Sequence, residues 1–153
     1  MDDFYTDLKR GKKGEKLVIA ALEARGHIVS DVSDNWDYRR NDIDLLLVNK
    51  QKQQTTLEVK NDQRSETTGN LFIETYNSNN QSHSYKGWFF YCAADYLCFL
   101  QEGNKQAHIV SFAELKKNIA SNAYRTANSC NATGYLVPLE VVKQLPTYFC
   151  LSV

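Results

Sequence analysis

Asp44, Glu58 and Lys60 are the residues whose types and spacing best suit chemistry. They lie in Asn41-Asp42-Ile43-Asp44-Leu45 and, across a short polar loop, in Leu57-Glu58-Val59-Lys60. Side chains alternate across a strand, so Glu58 and Lys60 share one face while Leu57 and Val59 take the other. A hairpin joining the two segments would bring the Asp44 carboxylate close to Glu58. The two acids offer hard oxygen ligands for Mg2+ or Mn2+, with water and a phosphate oxygen completing an octahedral shell. Such an ion neutralises charge developing on a phosphoryl group and acidifies a bound water. Lys60, its pKa depressed by the nearby cation and by partial burial, would orient or deprotonate that water. The peptide carbonyl of Val59 would add a further oxygen ligand. The same trio also fits a salt bridge on a half-exposed sheet. Apolar residues flank the acids tightly on both strands, however, and an ionised group in a buried strand is costly without a metal or a partner.

Several elements must position these groups. From Lys12 to Arg25, Leu17, Val18, Ala20, Ala21, Leu22 and Ala24 recur with helical spacing and Gly26 stands at the stop. His27 to Val32 reads as a short strand. Ile43 to Val48 and Thr55 to Val59 read as antiparallel neighbours, joined by Asn49 to Gln54. Leu71 to Thr75, Tyr91 to Leu100 and His108 to Phe112 are further strand candidates, with Trp88 to Ala94 open to a short helix. Glu114 to Ala120 suggests a helix capped by Ser111, with Glu114 in capping-box position. Leu139 to Leu145 suggests another between Pro138 and Pro146. Asn118 to Gly134 is polar and weakly patterned and reads as a mobile loop. Helix, strands and helices in that order indicate one mixed α/β domain over residues 1–153.

The composition, 42% hydrophobic and 24% charged over 153 residues, excludes a disordered or collagen-like chain. No apolar run approaches the roughly 18 to 20 residues that cross a bilayer, and the amino terminus lacks the order of a secretory signal. A soluble protein without a membrane partner is expected. The four cysteines are irregularly spaced and read as structural. Net charge is zero, but Lys9, Arg10, Lys12, Lys13 and Lys16 cluster against the single acid Glu15, and Arg39 and Arg40 adjoin Asp42. A basic rim of Lys12, Lys13, Lys16, Arg39 and Arg40 would suit a phosphate backbone. Lys86 would touch a further phosphate, and one of Trp88, Phe89 and Phe90 would stack on a base, although such aromatics more often fill a core.

Gly14-Glu15 in the first helix, Asp42-Ile43-Asp44-Leu45-Leu46 and Thr56-Leu57-Glu58-Val59-Lys60 together resemble the PD-(D/E)XK nuclease superfamily over roughly Lys12 to Thr75. The resemblance implies a restriction-endonuclease-like core, a central mixed β-sheet flanked by α-helices. By position, Asp44 resembles the metal-binding Asp, Glu58 the second metal ligand, Lys60 the catalytic Lys and Glu15 the helix-borne acid near the metal. The motif's Pro is absent, Asn41 preceding Asp42 and Ile43 preceding Asp44, so Asp42 stays in reserve for the role of Asp44. Thr68 to Glu74 is similar to a stretch that follows the E-x-K strand in some phage-encoded members, and Glu74 would then hydrogen-bond Lys60 or a water on the metal. The expected activity is Mg2+- or Mn2+-dependent cleavage of DNA, branched or otherwise structured DNA included, by a cytoplasmic bacterial or phage-encoded protein. Double-strand cutting would favour a symmetric homodimer. A catalytically inactive DNA-binding module and an RNA-directed nuclease are the alternatives.

Overall fold

The helical periodicity that begins at Lys12 belongs to a longer helix, α1 (Asp2–Ala24). The structure, a computed structural model, describes the backbone of residues 2–153 and side chains from Tyr5 onward. The early turns of α1 carry no continuous apolar stripe, and Tyr5 and Leu8 are exposed. Its second half buries Val18 and Leu22 completely or nearly so. Gly26, at φ +89°, ends the helix in a left-handed conformation that glycine adopts without steric cost. The His27 amide then folds back on the Leu22 carbonyl at 3.2 Å.

The Val18 and Leu22 face of α1 packs on a mixed sheet. Its strands are β1 (Ile28–Asp31), β2 (Leu45–Val48), β3 (Gln54–Asn61), β5 (Tyr96–Gln101), β6 (Gln106–Ser111) and β9 (Phe149–Ser152). They lie in the order β1-β2-β3-β5-β6-β9. β3 and β5 run parallel, and the other neighbours are antiparallel. The β2–β3 hairpin pairs Leu45 with Leu57, as the alternation of apolar residues required. Leu45, Leu57, Cys98, Leu100, Ile109 and Leu151 form the core against α1.

The opposite face is covered by more than helices. A second, three-stranded antiparallel sheet, in the order β4 (Asn70–Asn77), β8 (Ala132–Pro138), β7 (Thr126–Asn128), buries Leu71, Ile73 and Val137. These meet Leu97, Phe99 and Val110 of the large sheet, Trp88 of α4 (Trp88–Tyr91), and Phe112 and Leu115 of α5 (Phe112–Ser121) in one core. Asn118 to Gly134 is therefore not a mobile loop. α5 runs through its start and β7 pairs with β8 through its end, at Thr126↔Tyr135. The β7 segment is polar because only one of its neighbours is a strand and its side chains stay largely exposed, which leaves no apolar alternation to read.

Ser111 caps α5 as expected, its hydroxyl accepting from the Glu114 amide at 3.3 Å. The reciprocal half of the box is taken over by Thr147: the Ser111 amide donates to Thr147 Oγ1 at 3.1 Å, and the Glu114 carboxylate accepts from the Thr147 amide and hydroxyl. This ties α5 to the segment entering β9. The helix expected over Leu139 to Leu145 is shorter, α6 (Leu139–Val142), followed by turns. All four cysteines are free, with Cys92 and Cys98 buried. Among the described residues, no helix is long and apolar enough to cross a membrane.

Candidate active site

The two acidic segments converge because the hairpin register extends one step beyond Leu45–Leu57, setting Asp44 across from Glu58. Asp44 precedes β2 by one residue, yet its backbone is already in the ladder. Its amide donates to the Leu57 carbonyl at 3.0 Å and its carbonyl accepts from Val32 at 2.8 Å. Its carboxylate Oδ2 accepts from the Val59 amide at 2.9 Å. Asp44 is thus held to the backbone between Glu58 and Lys60.

Asp42 reaches the site differently. α2 (Trp36–Arg39) unwinds through Asp42 at φ +49°, a left-handed conformation that Asp tolerates better than most residues. The Cys92 thiol donates to the Asp42 carbonyl at 3.4 Å, and the Ala93 amide donates to that of Asn41 at 2.9 Å. The end of α4 thereby fastens this turn. Asp42 Oδ2 then stands 3.3 Å from Lys60 Nζ.

Lys60 Nζ lies 2.8 Å from Glu58 Oε1 and 5.0 Å from the centre of the Trp88 ring. The other oxygen, Glu58 Oε2, is buried without a hydrogen-bond partner. Burial and the charges of Asp44 and Asp42 push the Glu58 carboxyl well above the usual range, against the pull of Lys60. Burial likewise raises Asp44, opposed by the Val59 amide.

Two opposed effects act on Lys60. Burial does act to lower its pKa, but the carboxylates of Glu58 and Asp42 outweigh it and hold Lys60 above the ordinary lysine value. With these acids ionised, Lys60 is an ammonium ion and not a neutral base.

Glu15, on α1, accepts from Ser33 Oγ at 3.2 Å and lies 3.6 Å from Lys12. Burial and then the charge of Asp44 raise it to about 7. Glu74, on β4, accepts from Asn77 Nδ2 at 3.2 Å; burial raises its pKa, while Lys60 pulls it down. The expected acids therefore all influence one locality.

The expected cationic rim divides. Lys12 is engaged by Ser33, Asp34 and Glu15, and Lys13 lies 3.3 Å from Glu102. Lys16, Arg39, Arg40 and Lys86 are exposed. Two participants escaped the sequence reading. Trp88, read there as either a base-stacking ring or a core aromatic, is both core and cover for Lys60. Ser33, an ordinary turn residue by type, is buried and bridges Glu15 and Asp31. Only the Asp31 to Asp34 polar run hinted at it.

Among the described residues, no group of three or more His, Cys, Asp and Glu side chains is arranged to hold a metal ion. The pair Asp44 and Glu58 nevertheless suits a hard cation. Asp42 and Glu58 flank one ammonium, and Asp44 and Glu58 lie close enough for each to act on the other. A donor set of two carboxylates is of the hard-oxygen kind that holds a divalent ion. No family model, curated protein or solved structure matches the chain.

Proposed function

We propose that the chain is a divalent-metal-dependent endonuclease of the PD-(D/E)XK type, with a restriction-endonuclease-like core, that hydrolyses phosphodiester bonds of DNA. The observation that carries this reading is the divided environment of Glu58. One oxygen pairs with Lys60 at 2.8 Å, while the buried carboxyl as a whole lies against that of Asp44, each acid raising or contacting the other. Two buried carboxyl groups side by side are costly in a purely structural site unless a proton or a cation lies between them. A cation shared by Asp44 and Glu58 would remove that cost.

Mg2+ or Mn2+ would supply charge neutralisation at the phosphate and acidify water. The chain's own residues would do the rest. The Val59 amide fixes Asp44, so that this ligand keeps one orientation. Glu58 and Asp42 hold Lys60 as an ammonium ion aimed into the site, where it would stabilise negative charge developing on the phosphoryl oxygens. Glu15, raised to about 7, would exchange a proton near neutral pH.

The test is cleavage of plasmid and branched DNA by purified protein with Mg2+, Mn2+ or chelator. Cleavage should require the ion and vanish in Glu58→Ala and Lys60→Ala variants that retain the native circular dichroism. Undiminished cleavage by both variants would defeat the proposal.

A further inference from the structure

Beside Lys60 the protein has a groove of about 680 Å3, set between the β3–β4 connection and the outer face of the small sheet. Strand alternation makes its floor. Leu71, Ile73 and Val137 face the core, so Phe72 and its cross-strand partner Leu136 face outward. The Leu136 amide donates to the Arg125 carbonyl at 2.8 Å, so Arg125 extends the same row. Arg64, between β3 and the short helix α3 (Ser65–Thr68), joins Lys60 in lining the groove.

The groove presents positive charge around this apolar floor. Its one acid, Asp62, is turned inward, its two oxygens accepting from the Ser65 and Phe72 amides at 3.1 and 3.4 Å. Among the described residues, Arg64 and Arg125 form no ion pair and both are exposed. An aromatic and aliphatic platform flanked by free guanidinium groups suits bases stacked on Phe72 with phosphates beside the arginines. Base faces in a duplex are stacked on their neighbours and expose only their edges in the grooves, so a ring stacked on Phe72 belongs to an unpaired base.

We infer that this groove holds an unpaired DNA strand leading to Lys60, which makes the preferred substrate DNA with a single-stranded segment beside the cleaved bond. The inference rests on the nuclease reading for its link to cleavage, but strand binding can be measured without catalysis.

Fluorescence anisotropy in chelator, with labelled oligothymidylate and a blunt duplex of equal length, provides the test. The wild type should bind the single strand at least tenfold more tightly than the duplex. Arg64→Ala/Arg125→Ala should weaken single-strand binding at least tenfold. It should also make the slope of log affinity against log salt shallower by about 1.4, from two lost phosphate contacts at about 0.7 each. Phe72→Leu keeps an apolar side chain but removes the stacking face; it should weaken binding on the order of tenfold and leave the salt slope unchanged. Native melting of each variant confirms that the fold persists. Single-strand affinity that is unaltered in both variants overturns the inference, as does tighter binding of polyglutamate than of oligothymidylate. Metal-dependent cleavage with unaltered strand binding in the variants removes the groove and leaves the nuclease. Loss of strand binding in the variants of a protein that never cuts removes the nuclease and leaves the groove.

Discussion

Lys60 Nζ sits 2.8 Å from Glu58 Oε1 on the same face of β3, one strand repeat away. The pair is mutually dependent, because each group is desolvated and each is the other's nearest opposite charge. Lys60→Ala should leave Glu58 and Asp42 uncompensated and destabilise the metal-free protein at pH 8 by about 3 kcal/mol. Glu58→Gln/Lys60→Met should recover much of that loss, since a neutral pair of similar shape carries a far smaller desolvation penalty than two ions, while cleavage stays absent. Urea denaturation of the single and double variants measures both. Equal stability of Lys60→Ala and wild type would show that the pair contributes nothing.

Glu15 makes stability depend on pH in a definite direction. Its pKa of about 7 in the folded protein exceeds its ordinary 4.5, chiefly through burial. Between those values the folded state retains a proton that the unfolded chain has released, so stability falls as pH rises through this window. At full strength the shift corresponds to about 3 kcal/mol, and solvent screening at a partly buried group reduces this to on the order of 1–2 kcal/mol. Glu58 is shifted the same way. In chelator the wild-type Tm should drop from pH 5 to pH 8. Glu15→Gln should drop less and melt a few degrees higher at pH 8. Parallel curves for the two proteins would remove Glu15 as a contributor.

The strand carrying Glu58 and Lys60 was legible because alternation dictates its faces, and the β2–β3 hairpin because two apolar runs flank a short polar loop. The capping of α5 was legible from Ser111 and Glu114, although Thr147, distant in sequence, completes it. What local pattern cannot reveal is pairing between remote segments. The β4–β8–β7 sheet joins residues some sixty positions apart, as in the Phe72↔Leu136 pair. The charge balance at Lys60 depends on remote segments in the same way. Its pKa depends on Asp42, whose approach requires the left-handed turn after α2 and its fastening by Cys92 and Ala93. The identity of a second cover for Lys60, Trp88, likewise depends on how α4 docks.

Gly87 allows that docking. A Cβ there would lie 2.3 Å from the Glu74 carbonyl oxygen and 2.6 Å from the Thr75 nitrogen, both backbone atoms that cannot swing aside. The Gly87 amide also donates to the Thr75 carbonyl at 3.0 Å. Gly87→Ala should therefore force α4 away from β4, lift Trp88 from Lys60 and destabilise the protein by about 3 kcal/mol. The expected drop in Tm is roughly 6–12 °C for a chain of this size. As a comparison, Gly11→Ala meets no atom within 4 Å and should not lower Tm. Equal melting of Gly87→Ala and wild type would show that α4 adjusts without strain.

Asp42 and Asp44 should separate by their different attachments. Asp44 opposes Glu58 and is fixed by the Val59 amide, whereas Asp42 faces Lys60 and holds a left-handed backbone. Asn tolerates that conformation, so Asp42→Asn preserves the turn while removing the negative charge beside Lys60. Under the proposed metal reading, Mn2+ at 100 times its Kd should stabilise the wild type by about 2.7 kcal/mol. Asp44→Asn loses an anionic oxygen ligand and should abolish both this stabilisation and cleavage. Asp42→Asn should retain most of the Mn2+-induced rise in Tm yet cleave more slowly, because Lys60 loses one of its two anchors. Melting curves with and without Mn2+, paired with cleavage rates, distinguish the roles. If Asp42→Asn abolished the metal effect while Asp44→Asn preserved it, the ligand assignment would pass to Asp42, and Asp44 would remain only the acceptor that caps the Val59 amide.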